Sequence, residues 1–180
     1  MRTNISVSPI AACAIRIAIP LAIACFGLIG ASAYAAEPPV LKSGLWELSR
    51  STSQQPETKR LTTMCLDESV QAQMREFGLG VAKELCSKSD RRVEGNRLII
   101  DAVCKLGTTT MTTHSVITFS GNIAYHTEGS ATYDPPLTNM TEAKSSIDGK
   151  WAGECKPGQQ PGDITLESGQ TINIKSMIRK

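Results

Sequence analysis

The sequence predicts a mainly β domain of the α+β class: a curved antiparallel meander sheet or partly open barrel, with one inserted helix and two disulfides. Three observations carry that reading. Past Cys86 the chain runs in short segments rich in β-branched residues, bounded by Gly, Pro and Asn, the pattern of strands joined by tight turns. One segment, residues 69–85, has helical period instead. Four cysteines remain in the part of the chain expected to reach an oxidising compartment, an even set that suits two disulfides.

The compartment is read from residues 1–35, which have the form of a cleavable secretory signal peptide. Arg2 and Arg16 precede an apolar run from Ile17 to Ile29, no acid appears before Glu37, and Ala33 with Ala35 fits the small-residue cleavage rule. Cleavage is expected after Ala35, with Ala33 as second choice. The uninterrupted apolar core is shorter than the roughly 20 residues that span a bilayer, so no stable membrane span is expected after cleavage. Cys25 offers a minor alternative of lipid anchoring, with Ala22 and Phe26 a poor context for acylation. The expected location is periplasmic.

Cleavage leaves residues 36–180, the size of one domain. It also removes two of the 19 cations and none of the 17 acids, so the exported chain is neutral. A chain without excess cation has little to gain from counterion release, and nucleic acid is excluded as an expected partner.

Residues 36–43 form an extended leader. Gly44 to Arg50 is the first strand, with Trp46 and Leu48 on one face, residues 51–59 read as a loop around Gln54-Gln55-Pro56, and residues 60–65 return as a strand. Asp67 caps the helix, which carries Val70, Met74, Phe77, Val81 and Leu85 as its apolar stripe and is weakened by Gly78 and Gly80. Further strands are expected at 97–105, 109–119, 122–133 and 140–147, with turns at Gly107, Ser120-Gly121-Asn122 and Pro135-Pro136. Thr108 to Thr113 suits a strand with a solvated face. The tail, 156–180, is rich in turn formers and is expected to be partly flexible, with 171–174 either a last strand or mobile.

Gly95-Asn96 suits a tight hairpin turn, and folding the chain back about it brings Cys86 within one residue of Cys104. A three-residue loop or a bulge would place them directly opposite. Cys65 then pairs with Cys155 by elimination, and closing that long loop constrains the unfolded chain by roughly 4 kcal/mol.

Leu41-Lys42-Ser43-Gly44-Leu45-Trp46-Glu47, Cys65-Leu66-Asp67-Glu68, Cys86, Cys104 and Gly149-Lys150-Trp151-Ala152-Gly153-Glu154-Cys155 together resemble a bacterial family, the domain-of-unknown-function family 3617, small exported proteins of Gram-negative bacteria. Asp67 stands where Thr often follows Cys-Leu, and the Met- and Pro-rich loop after the first strand is lacking. The family has no established activity, so the resemblance implies fold and compartment alone.

No reaction is indicated. The cysteine spacings are too long for a zinc site, no Gly-x-Ser-x-Gly, phosphate loop or dinucleotide fingerprint occurs, and the acids Glu47, Asp101, Glu128, Asp134 and Asp148 are scattered. His114 and His126 lie on adjacent expected strands. A turn centred on Gly121 sets His126 opposite Val116 with both rings on one face, whereas a turn between Gly121 and Asn122 sets it opposite Ile117 with the rings on opposite faces. Without a third ligand they are read as unrelated strand residues, and no metal or cofactor is expected. The expected role is noncatalytic: a module that binds a small apolar ligand, as curved meanders can, or a structural envelope protein that contacts a partner through a strand edge. An enzyme with an unfamiliar site is the last alternative.

Overall fold

The computed structural model describes residues 37–178, with the backbone alone at 55–60. The expected signal peptide, its cleavage at Ala35 or Ala33, and Cys25 lie outside the described residues. Nine strands form one antiparallel sheet in the order β3-β4-β5-β6-β7-β1-β2-β8-β9, and the sheet does not close. In chain order they are β1 (Gly44–Thr52), β2 (Gln55–Leu66), β3 (Cys86–Glu94), β4 (Arg97–Leu106), β5 (Thr109–Ser120), β6 (Ala124–Leu137), β7 (Met140–Gly153), β8 (Asp163–Thr165) and β9 (Thr171–Asn173). Helix α1 (Glu68–Leu85) is inserted between β2 and β3.

The first helix begins where the sequence places it. Asp67 keeps an extended backbone, and its carboxylate accepts from the Val70 N–H at 2.8 Å, satisfying one of the orphan donors of the first turn. Burial pushes that carboxyl up. The Val70 N–H, the Ser69 hydroxyl and the Lys175 charge outweigh it and hold the group below its usual range.

The dry core lies where β1 and β2 meet the start of α1. Trp46 and Val70 are fully buried there with Met64 and Leu66, and Leu41, Leu48, Tyr125 and Trp151 pack around them. Two tail residues, Ile164 and Ile174, complete the cluster. The tail is therefore built in: β8 pairs with β2 at Thr63 and Met64, β9 pairs with β8, and a short helix α2 (Ile174–Ile178) follows.

One disulfide joins two strands and the other joins a strand to the segment after β7. Cys86 stands directly opposite Cys104 because β3 bulges between Cys86 and Lys88, which absorbs the one-residue offset left by the two-residue turn at Gly95-Asn96. Cys65 joins Cys155, just past the end of β7, and the Cys65 carbonyl accepts from the Gly162 N–H at 2.7 Å, fastening the start of the tail.

Three local expectations are corrected. Residues 51–59 are mostly strand, with a turn confined to Ser53-Gln54; the loop signal around Pro56 corresponds to a register break, where Ser51 faces the stretch between Gln55 and Arg60. Pro135-Pro136 lie within β6 beside an interrupted ladder, and the turn falls at Thr138-Asn139, both with positive φ as a tight hairpin turn requires. Thr109 is buried, so the threonine run is not uniformly solvated.

Candidate ligand-binding cavity

Side chains on alternate positions of a strand share a face, and the register assembles the inner face of the sheet row by row. Phe119, Tyr125, Gly149 and Leu48 form one row; Leu98, Ile117, Thr127 and Ile147 form the next; Arg91, Ile100, Ser115, Gly129 and Ser145 form the third. Along this face the chemistry grades from aromatic through aliphatic to small and polar. The aromatic end is fixed tightly: the Tyr125 ring packs on Trp46 and Phe119, with centroids 5.8 and 6.5 Å away. It also occupies the space that a side chain at position 149 would need. Burial pushes the Tyr125 phenol up.

Beyond its buried first turn at Val70, helix α1 stands off this face. Between them lies a cavity of ≈ 560 Å³, within the roughly 300–1,000 Å³ usual for small-molecule sites. The helix lines it with Met74, Gly78 and Ala82, the sheet with Leu98, Ile117 and Tyr125, and the leader with Pro38 to Leu41. A side chain at Gly78 would meet nothing within 4 Å, although that position faces the cavity. The leader is held as a wall by Gln71, which accepts from the Leu41 N–H at 2.8 Å and donates to the Leu41 carbonyl at 2.9 Å.

The apolar stripe expected on α1 is thus not a core stripe. Val70 alone is buried, whereas Met74, Phe77, Val81 and Leu85 are between 37% and 50% exposed. The face turned to the sheet is instead Gln71, Met74, Gly78 and Ala82, whose small middle leaves the gap open. Small residues at 78 and 82, spaced by four, mark that face in the sequence but not its distance from the sheet.

Among the described residues the cavity is lined by two charged side chains, both arginines: Arg75 from α1 and Arg91 from β3. Arg75 holds a long, exposed ion pair with Glu37 at 3.4 Å, a contact of little energetic weight. Among the described residues Arg91 has no ion pair. On the same face, a second hollow of ≈ 400 Å³ takes in Ser115 and Ser145 of the third row together with Arg50 and Thr113, and among the described residues no carboxylate lines it.

The histidines lie on the outer face. The turn occupies Gly121-Asn122-Ile123, which sets His126 opposite Thr118 rather than Val116 or Ile117. Both rings share that face, but His114 and Thr118 are four residues apart on β5, roughly 13 Å, so one metal cannot bridge them. Each ring has its own carboxylate: Nδ1 of His114 lies 2.7 Å from Asp101, and Nδ1 of His126 lies 2.7 Å from Asp148. Asp148, first, and Glu128 raise the His126 pKa, while His114 and Arg92 lower that of Asp101. Among the described residues no cluster of three or more His, Cys, Asp and Glu could hold a metal. Glu47 and Asp134 stand on β1 and β6, apart from these pairs.

One row on this face, Asp101, His114 and Ser130, brings together the residue types of a charge relay. The neighbouring backbone N–H groups are committed to the β4–β5–β6 ladder and so form no oxyanion hole. Among the described residues no hydrogen bond joins Ser130 to the ring.

No curated protein and no solved structure matches the chain. A family model described as "Protein of unknown function (DUF3617)" matches residues 41–155, the span from the leader wall through α1 and the seven long strands to the last cysteine. The chain belongs to this family.

Proposed function

We propose that the protein is a noncatalytic binding module that holds a small apolar ligand between α1 and the inner face of the sheet, in the exported compartment that residues 1–35 indicate. The stand-off of α1 carries the reading. A helix whose cavity-facing glycine meets nothing within 4 Å, above rows of Leu, Ile and aromatic side chains, leaves apolar surface that a ligand would cover. Covering such surface contributes about 25 cal/mol per Å². The partner-through-an-edge reading receives less support, because the β3 edge is studded with Lys88, Asp90, Arg92 and Glu94, charges that discourage strand addition.

Native mass spectrometry of the protein purified from its own host tests the proposal. A retained small molecule of discrete mass is the expected result. A bare polypeptide mass that no added apolar compound shifts would refute it.

A further inference from the structure

We infer that the ligand is an anionic single-chain amphiphile, an acyl chain ending in a carboxylate, with its tail on the aromatic and aliphatic rows and its head at Arg91 and Arg75. This rests on the cavity being a binding site and adds the head chemistry. The inner face has a direction. Its first two rows carry Phe119, Tyr125, Leu98 and Ile117; from its third row Arg91 and Ile100 line the cavity, with Ser89 beside Arg91 on β3. A wholly apolar ligand would leave Arg91 and Ser89 poorly matched, whereas an amphiphile matches both ends.

The sign of the head follows from the lining. Among the described residues Arg75 and Arg91 both face the cavity, no carboxylate does, and Arg50 lines the adjoining hollow, which likewise has none. A guanidinium meets a carboxylate through a planar, two-pronged fork, and Arg75 can exchange the distant Glu37 for a ligand head at small cost. A cationic head would face two like charges, offset only by Glu37 in its exposed pair with Arg75. One cavity of ≈ 560 Å³ beneath a single helix fits a monomeric chain rather than a lipid bilayer surface.

Isothermal titration of the purified protein with dodecanoate, dodecanol and dodecylammonium, all below micelle formation, reads the head preference directly. Dodecanoate is expected to bind roughly tenfold or more tighter than dodecanol, as hydrogen bonds to charged groups warrant, and dodecylammonium to bind weakest. Shortening the chain from dodecanoate to decanoate should weaken binding about fifteenfold, from the loss of two buried methylenes. The Arg75→Gln/Arg91→Gln double variant should lose the anion preference and keep its dodecanol affinity. Equal affinity for all three heads would overturn the inference while leaving the cavity reading intact, and binding of none would defeat the cavity reading itself. Association with phosphatidylglycerol vesicles but not with dodecanoate would overturn the inference in favour of a membrane surface.

Discussion

Replacing Cys65 and Cys155 together by alanine opens a covalent loop with a sequence separation of 90, whereas replacing Cys86 and Cys104 opens one of 18. In the chain-entropy account these loops constrain the unfolded ensemble by about 4.6 and 3.2 kcal/mol. The packing lost is comparable, because Cys65 and Cys104 are both buried, so the difference of about 1.4 kcal/mol belongs to loop length. The long-range bond also fastens the tail that supplies Ile164 and Ile174 to the Trp46 cluster, which adds to its side of the comparison. Urea unfolding without reductant measures both variants. With a slope of about 2 kcal/mol per M, the midpoint should fall by roughly 2.3 M for the Cys65–Cys155 pair and 1.6 M for the other. A larger fall for the Cys86–Cys104 variant would refute the reasoning, as would alkylation of any cysteine in the untreated exported protein.

Asp67→Ala should cost about 1 kcal/mol by removing the cap of α1, read by urea unfolding, and a change within error would show that the cap contributes nothing. The His126 pKa is raised in the folded state, so the stability it contributes is fully present below the unfolded value near 6.5 and is lost as pH rises through the folded value. The His126→Gln variant should flatten that decline at pH above the unfolded value; an unchanged pH profile would contradict the Asp148 pairing. Gly149→Ala should cost about 1–3 kcal/mol, because the Tyr125 ring fills that space and is itself packed on Trp46 and Phe119. A thermal midpoint equal to that of the parent would refute it.

The sheet was legible because its information is local. Alternation marks β4 to β7, and Gly95-Asn96 marks a turn whose two-residue length left Cys86 one position short of Cys104 until the bulge near Ser87 made up the difference. The His126 register was missed because Ile123, apolar and β-branched, joins the turn, shifting each later residue by one or two positions against β5. The two ends of the family resemblance become physically intelligible in the fold: Trp46 pairs with Trp151, Leu48 with Gly149 and Leu45 with Gly153 across β1 and β7. Those residues look like one motif because they are one patch of sheet.

The cavity was not legible in the same way. Val70 to Leu85 has the spacing of a helix lying flat on a core, and nothing local says that it is held off the sheet. That distance is set by remote features: Val70 anchored against Trp46 and Leu66 at one end, the Cys86–Cys104 bond just past the other, and Gln71 clamped to the leader. Helical periodicity records which face is apolar, not whether that face meets protein or ligand. Arg75 and Arg91 were invisible as a pair because they lie on different elements and only the tertiary fold brings them to one cavity.

Filling the gap beneath α1 tests the central claim most directly. Ala82 lines the cavity from the helix, and an Ala82→Trp variant should occupy it. Titration with an apolar fluorophore should show saturable one-to-one binding to the parent protein and none to a folded Ala82→Trp variant. Saturable binding undiminished by the tryptophan, or no binding to the parent at all, would contradict the account.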